Sequence, residues 1–574
     1  SCGRCSSARA FSLVPDHEPP AAAPGAVRIV PLGGTGEFGK NMTVVEMDGQ
    51  MLVIDCGVTF PRHDQMGVDL VIPDFGYVQR AEATLAAVVL THPHEDHIGA
   101  LPFLMRAVGP ITVYAPRFTL GLVRSKLDEH GLVADAELVE TGGGTRHQIG
   151  PFDLEFVSLI HSVPDCVAVS ISTPAGRIVH TGDFRYEAAP FRGQAREEAI
   201  RTGRHMDIPR LAQLGEQGVR LLLADSTNAE IRDAPPKPES AVLAGMRSLF
   251  ASSDGRVIVT TFSSHVHRVE NILKAAYLDG RSAALVGRSL VRTVNIALNL
   301  GYLEPPSGTL ISPRELDQLP PDEQVLICTG SQGEPLAALS RMARGEHPLV
   351  QIQPDDTVVY SARTVPGNEL AINETINRLR QVGAQVITRE SSGSTYHVSG
   401  HGSAWDIELM LQLLRPEHMA PIHGELRQQR AHAELAAELG VSQDNLHMLE
   451  NGDVLEVTAS RVEIVGQTEV GMSYVDRVAS DEVGEEVLRD RRHLAEDGLV
   501  LVVVSIAASD GALTGEPDIV TRGMSGGENP DVLAETRRVV VETLAESAGA
   551  RVTEFSVLQH RLHDAVAGAV KRGG

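Results

Sequence analysis

The chain has 574 residues, of which 42% are hydrophobic and 22% charged, and it carries a net charge of -25. That length predicts two or three domains rather than one core, and the near-average composition excludes both a small disulfide-stapled scaffold and a disordered chain. The acidic balance excludes a protein that coats nucleic acid through general basicity, but not an enzyme that holds one strand in a groove of local positive potential.

The first 26 residues are rich in Ala, Pro and Ser, lack an apolar core of signal-peptide length, and read as a disordered leader. The longest apolar run, Leu499 to Ala508, is about half as long as a membrane-crossing helix, so no membrane association is expected. Cys56, Cys166 and Cys328 lie singly in apolar contexts, which predicts free thiols and a reducing, cytoplasmic location. Cys2 and Cys5 lack the second pair that a structural metal needs.

From Val27 to about His180, short apolar runs separated by turns predict strands at Met51–Asp55, Ala86–Leu90, Ile111–Ala115, Leu154–Leu159 and Val167–Thr173. From Leu221 to Thr388 strands and helices alternate: strands at Leu221–Ala224, Val257–Thr261, Ala283–Val286 and Val325–Thr329, and helices over Ser240–Ala251 and from about His267. That rhythm predicts a parallel sheet flanked by helices. A strand-rich connector, Val454 to Val465, and a charged stretch, Asp481 to Asp497, lead to a C-terminal unit with one apolar strand and a helix opened by Asn529-Pro530.

The densest chemical signal is His92-Pro93-His94-Glu95-Asp96-His97, directly after a predicted strand. A tight loop points alternate side chains apart, so three imidazoles and a carboxylate within six residues can serve two adjacent ions of the Zn²⁺ type. Further candidates stand at other strand ends: His161, Asp183 and His423.

The motif His92-x-His94-x-Asp96-His97, with His161 in "HSVPD", Asp183 in "TGDF" and His423 in "PIHGE", resembles the metallo-β-lactamase superfamily. Together with "DSTNAE" from Asp225, "TGSQGEP" from Thr329, "PGNE" from Pro366 and "HVSGHGS" from His397, it is similar to the ribonuclease J family of β-CASP nucleases over Val27 to about Asp476. The resemblance implies an α/β fold: a metallo-β-lactamase αββα sandwich, an inserted β-CASP α/β domain and a small α/β C-terminal domain. The corresponding boundaries are a leader over 1–26, sandwich over 27–228 and 375–458, β-CASP domain over 229–374, linker over 459–480 and C-terminal domain over 481–574.

On the family pattern His92, His94 and His161 hold one zinc, Asp96, His97 and His423 the other, and Asp183 bridges them. Two such ions lower the pKa of a shared water and neutralise phosphate oxygens during in-line displacement. The pattern also makes Asp96, Asp225 and His401 catalytic, with Asp225 orienting the His401 imidazole beside the leaving oxygen. A histidine at position 423 is similar to the RNA-processing branch, whereas DNA-repair members carry valine.

The segment His397-Val398-Ser399-Gly400-His401 resembles the family's phosphate cradle, and Gly330-Ser331-Gln332-Gly333 is expected to open a helix and do the same. The family's Ala-Ser-Asn before "VHR" is here Ser263-Ser264-His265, a departure at the terminal-phosphate pocket, where Arg268 remains to supply charge. A further divalent cation such as Ca²⁺ is implied beside Asp476 and the backbone near Met66 and Val68. The resemblance implies a zinc-dependent ribonuclease with 5′-to-3′ exonuclease and endonuclease activity on 5′-monophosphorylated single-stranded RNA. Its setting is rRNA processing and mRNA decay, as a homodimer or homotetramer or within an RNA-degradation complex.

Three other readings fit part of the pattern. A thioester or lactam hydrolase explains His92 to His97 but not Asp225 or "TGSQGEP"; a DNA-processing β-CASP nuclease is disfavoured by His423; an inactive scaffold would have lost ligands that this chain keeps.

Overall fold

The computed structural model describes residues 19–61, 65, 67–80, 83–187, 194–232, 237–365, 367–388, 395–476, 481–497, 499–523 and 530–573. They form two compact units, one comprising Ser1–Phe60 with Val71–Met472 and the other Pro61–Leu70 with Ser473–Gly574. Among the described residues no helix is long and apolar enough to cross a membrane.

In the larger unit two sheets share a core. The eight-stranded sheet runs in the order Val462–Gln467, Asp453–Val457, Val27–Gly33, Met42–Met47, Gln50–Ile54, Thr84–Val89, Ile111–Pro116, Ala136–Thr141. The six-stranded sheet runs His418–Ile422, Leu221–Asp225, Gly176–His180, Cys166–Thr173, Phe152–Leu159, Arg146–Ile149. The period-2 alternation of a strand decides what each face meets. Leu154, Phe156, Leu221 and Leu223 pack with Ile29, Leu52 and Val89 of the other sheet. Val157, Leu159, Leu222 and Ala224 turn the opposite way, onto Leu211, Ile407, Met410 and Leu435 of the covering helices.

Leu221–Asp225 pairs in parallel register with His418–Ile422, although nearly two hundred residues separate them in the chain. Much of that interval forms a third sheet, all parallel, in the order Ser282–Val286, Gln324–Cys328, Val257–Thr260, Thr357–Tyr360, Gln385–Ile387. Both faces are covered, as a parallel sheet requires. Val257 and Val259 meet the helices Ser240–Ser252, Val266–Leu278 and Arg288–Leu300, and Ile258 meets Ala338–Ala343 and Glu369–Val382.

The sequence expectations differ from the structure at four places. The parallel-sheet domain does not end at 374, because the helix Glu369–Val382 covers that sheet and Gln385–Ile387 is its outer strand. The stretch 459–480 is not simply a linker, because Val462–Gln467 forms the outer strand of the eight-stranded sheet, paired antiparallel with Asp453–Val457. Gly330 to Gly333 forms a turn rather than a helix start: Gly330 and Gly333 have φ of 112° and 75°, and the next helix begins at Ala338. The smaller unit has an antiparallel pair, Leu499–Val503 with Asp518–Arg522, and two long helices, Pro530–Gly549 and Phe555–Gly573. Val540 and Leu544 of the first helix and Leu558 of the second form their core, so the apolar face of the first helix is internal to that unit. Asn529, the expected cap, lies outside the described residues.

Candidate metal centre and active site

The carboxyl ends of strands from both large sheets converge on one point. Thr84–Val89 leads into the loop with His92 and His94, and a single helical turn, Glu95–Ile98, then presents Asp96 and His97. Phe152–Leu159, Gly176–His180 and His418–Ile422 deliver His161, Asp183 and His423, and Asp225 ends its own strand. At two of these strand ends, Asp55 and His423 adopt the left-handed conformation, with φ of 60° and 52°. A non-glycine residue held there is strained and is over-determined by its surroundings.

Three imidazole nitrogens meet first. His94 Nδ1 lies 3.2 Å from His92 Nε2 and 3.1 Å from His161 Nε2. Beside them, His423 Nε2 lies 3.3 Å from Asp96 Oδ2, and His97 Nε2 lies 3.7 Å from the same oxygen. Asp183 joins the two groups: its Oδ2 stands 3.4 Å from His92, 3.8 Å from His161, 3.3 Å from His97, 3.6 Å from His423 and 3.7 Å from His401. Yet both Asp183 oxygens are buried and have no hydrogen-bond partner among the described residues.

A buried carboxylate without a donor costs several kcal/mol of desolvation unless a charge compensates it. His92, His94, His161 and Asp183, and Asp96, His97, Asp183 and His423, are each close enough to hold one ion. The donor chemistry therefore fits metal at Asp183.

The outward ring nitrogens support the same conclusion. His92 Nδ1 contacts Thr91 Oγ1 at 3.0 Å, His94 Nε2 contacts Ser162 Oγ at 3.1 Å, and His161 Nδ1 donates to the Gly400 carbonyl at 2.7 Å. His97 Nδ1 meets Asp55 Oδ2 at 2.7 Å and His423 Nδ1 meets Thr227 Oγ1 at 2.8 Å. Partners of this kind fix tautomer and ring orientation, leaving the other nitrogen to face the cluster. Two glycines permit the crowding: a Cβ on Gly400 would sit 2.8 Å from His161 Cε1, and one on Gly57 only 1.6 Å from the Asp96 carbonyl oxygen.

Electrostatics divides the histidines. Burial, reinforced by neighbouring imidazoles, holds His92 and His161 below the usual histidine range and brings His94 to about 3, the neutral form that ligates metal. Burial opposes charge at His97, His423 and His401 as well, but carboxylates outweigh it. Asp183 and Asp96 lift His97 well above its usual range and His423 to about 9, and Asp225 and Asp183 raise His401. Burial alone would raise the Asp183 and Asp225 carboxyls, but the imidazoles around them win and lower both.

His401 differs from the other five. Its Nδ1 meets Asp225 Oδ2 at 2.8 Å, which leaves Nε2 as the ring nitrogen available for proton transfer, and its side chain is 21% exposed. The loop around it is held from behind. Arg268 is fully enclosed: it pairs with Glu239 at 2.5 Å and donates to the Ser361 carbonyl at 2.8 Å and the Val398 carbonyl at 3.2 Å, and it contacts His397 Nδ1 at 3.1 Å. Its charge is neutralised inside the protein, so it supports the His397–His401 loop rather than lining an open pocket.

His265 is also buried, with its ring stacked 6.2 Å from that of His397, and its Nδ1 has no hydrogen-bond partner among the described residues. Ser331 is buried at the carboxyl end of Gln324–Cys328. Of the expected additional cation site, Met66 lies outside the described residues; Val68 is buried, and Asp476 Oδ2 stands 3.5 Å from the Arg491 guanidinium.

Sequence reasoning missed Asp55, Asn41, Thr227, Asn228 and Arg363. Asn41 Nδ2 lies 3.2 Å from His97 Nε2. Arg363 is exposed, yet its Nη1 donates to Asn228 Oδ1 at 2.6 Å, and Asn228 Nδ2 donates to Ser399 Oγ at 2.9 Å and the His401 carbonyl at 3.0 Å. No spacing in the chain signals these pairings.

Comparison with known proteins follows the same lines. Residues 35–220 match the metallo-β-lactamase superfamily, 254–379 the ribonuclease J β-CASP domain, 393–447 the Zn-dependent metallo-hydrolase RNA specificity domain and 486–573 the ribonuclease J C-terminal domain. Ribonuclease J of Mycolicibacterium smegmatis is 40% identical over 93% of this chain and 93% of its own length. Ribonuclease J 1 of Streptococcus pyogenes is 38% identical over 91% and 90%. A crystal structure of a protein of unknown function from Enterococcus faecalis shares the fold alone, with a TM-score of 0.52 and 13% identity over 75% of this chain and all of that one. The chain belongs to the ribonuclease J family and is a metal-dependent ribonuclease of the metallo-β-lactamase fold.

Proposed function

We propose that the chain holds two Zn²⁺ ions and hydrolyses single-stranded RNA from a 5′-monophosphorylated end, with endonucleolytic cuts as well, leaving 5′-phosphate and 3′-hydroxyl products. The observation that carries this reading is Asp183, buried without a donor between two groups of inward-facing imidazole nitrogens. Three imidazoles with a carboxylate on one side, and two imidazoles with two carboxylates on the other, are the N/O sets that zinc accepts. His92, His94 and His161 hold one ion, Asp96, His97 and His423 the other, and Asp183 both. When bound, such a pair supplies an activated water and Lewis acidity at the phosphate oxygens.

The chain's own residues supply orientation and a proton. Asp225 accepts the Nδ1 hydrogen of His401 and stabilises the imidazolium. As the P–O3′ bond breaks, His401 Nε2 gives its proton to the departing oxygen. The loop His397, Val398, Ser399, Gly400 and His401 cradles the strand's phosphates, Ser331 is assigned to the same task, and Arg268 keeps that loop in place.

Arg363 stands exposed at the carboxyl edge of the parallel sheet, where open α/β sheets bind ligands, and supplies positive charge to the strand. Asp476, with the backbone at Met66 and Val68, is assigned to a Ca²⁺-type ion, the subunits to a dimer or tetramer, and the location to the cytoplasm.

The test is digestion of end-labelled RNA resolved at nucleotide level. Mononucleotides should appear from the 5′ end of monophosphorylated RNA and much more slowly from a triphosphorylated twin. Equal rates on the two substrates, or digestion from the 3′ end, would overturn the directional part of the reading.

A further inference from the structure

Thr227 stands between the metal-side group and the proton-transfer pair. Its Oγ1 lies 2.7 Å from Asp225 Oδ1 and 2.8 Å from His423 Nδ1. A hydroxyl has one hydrogen, and a carboxylate oxygen at that distance takes it in a charge-assisted bond. The other oxygen in reach, the His423 carbonyl at 3.1 Å, would draw the same hydrogen and leave the same result.

Oγ1 therefore presents only lone pairs to His423, so in the neutral ring Nδ1 carries the hydrogen and Nε2 is the nitrogen left with a lone pair to ligate. Nε2 is the atom 3.3 Å from Asp96 Oδ2 and 3.6 Å from Asp183 Oδ2. On its other side Asp225 uses Oδ2 for His401 Nδ1 at 2.8 Å. One hydrogen-bond chain thus runs from His423 through Thr227 and Asp225 to His401.

We propose that Thr227 is a positioning residue that sets the ligating tautomer of His423 and ties the ion on the Asp96, His97 and His423 side to the orientation of His401. The inference rests on the two-metal reading above. A merely structural role is already covered by the Thr227 backbone, whose N–H donates to Asp225 Oδ1 at 2.9 Å, a bond that a valine retains. Thr227→Val therefore removes the hydroxyl alone, at nearly constant shape.

The experiment titrates metal-free protein with Zn²⁺ against a chromophoric chelator, in the wild type and in Thr227→Val, Thr227→Ala and Thr227→Ser. The wild type should take two equivalents. The Val and Ala variants should keep one at wild-type affinity and lose about 10- to 100-fold in the other, the effect typical of removing a ligand's outer partner, and Ser should restore it. With zinc saturating, the Val variant should still cut more slowly, with kcat reduced and KM unchanged, because His401 has lost its link. Wild-type affinity for both equivalents in the Val and Ala variants, equal weakening of both, or failure of Ser to rescue would overturn the role of Thr227. Fewer than two equivalents in the wild type would overturn the two-metal reading and this inference with it.

Discussion

At the scale of the residue, two histidines of one cluster are held in different protonation states by one neighbour each. His161 passes its outward hydrogen to a neutral carbonyl, that of Gly400, and burial keeps it neutral; His401 passes its own to the Asp225 carboxylate, which raises it. His401→Ala should cut turnover by a factor on the order of 10² to 10⁴ and leave metal content intact, as measured by metal analysis beside single-turnover cleavage. Asp225→Asn removes the charge that favours the protonated ring. The alkaline limb of the kcat profile, where His401 loses its proton, should then move to lower pH; an unmoved limb would mean that Asp225 does not set it. The identities of these residues were legible in the sequence because ligating and acid–base chemistry needs particular side chains at strand ends. The Asp225–His401 pairing came with the family resemblance, but the contacts of Thr227 and Asn228 within "DSTNAE" were not legible, because they depend on the strand at 418–422 and the loop at 397–401 being brought beside them.

At the scale of the element, the helix Val266–Leu278 and the strand Thr357–Tyr360 each contribute one arginine near the same loop, and the two act differently. Arg268 projects from the helix into the interior, where Glu239 balances it, and Arg363 follows the strand onto the surface. Replacing Arg268 with Met strands a carboxylate that is largely buried, and a broken buried pair costs about 3–5 kcal/mol, so thermal unfolding should shift markedly downward. Arg363→Ala should leave the melting temperature nearly unchanged and weaken RNA binding, with the slope of log affinity against log salt smaller by about one. Similar stability losses in both variants would assign Arg363 to the interior scaffold. The sequence pattern placed three strands of the parallel sheet, Ser282–Val286, Gln324–Cys328 and Val257–Thr260, and two of its helices to within a residue or two, but not the strands Thr357–Tyr360 and Gln385–Ile387, and it counted with them Leu221–Asp225, which lies in the six-stranded sheet. It could not separate a buried from an exposed arginine, because hydropathy treats them alike and only the packed neighbours differ.

At the scale of the whole molecule, the centre joins parts of the chain that are far apart, and its charges make folding and metal binding one equilibrium. In the metal-free protein His97 and His423 are raised, His423 to about 9, and this contributes stability that is complete below the unfolded histidine value near 6.5. As pH rises through about 9 the His423 proton leaves and its contribution is lost, and that of His97 is lost as its own raised value is passed. His92, His94 and His161, lowered in the folded state, become neutral in both states only above about pH 7.5, so from there upward they do not mask the effect. The melting temperature of the metal-free protein should therefore fall across this range, while that of the zinc-loaded protein should hold, with zinc affinity rising as protons cease to compete. A metal-free melting curve flat from about pH 7.5 to 9 would contradict this account. By itself the sequence indicated the candidate ligand residues, the alternation that makes a parallel sheet and the family to which the motifs point, because those follow from side-chain chemistry and local periodicity. Tertiary structure alone decided that Val462–Gln467 closes a sheet, that Arg268 faces inward and that Thr227 stands between His423 and Asp225, because each depends on which distant segment packs against it, and one residue's spacing to the next carries no record of that.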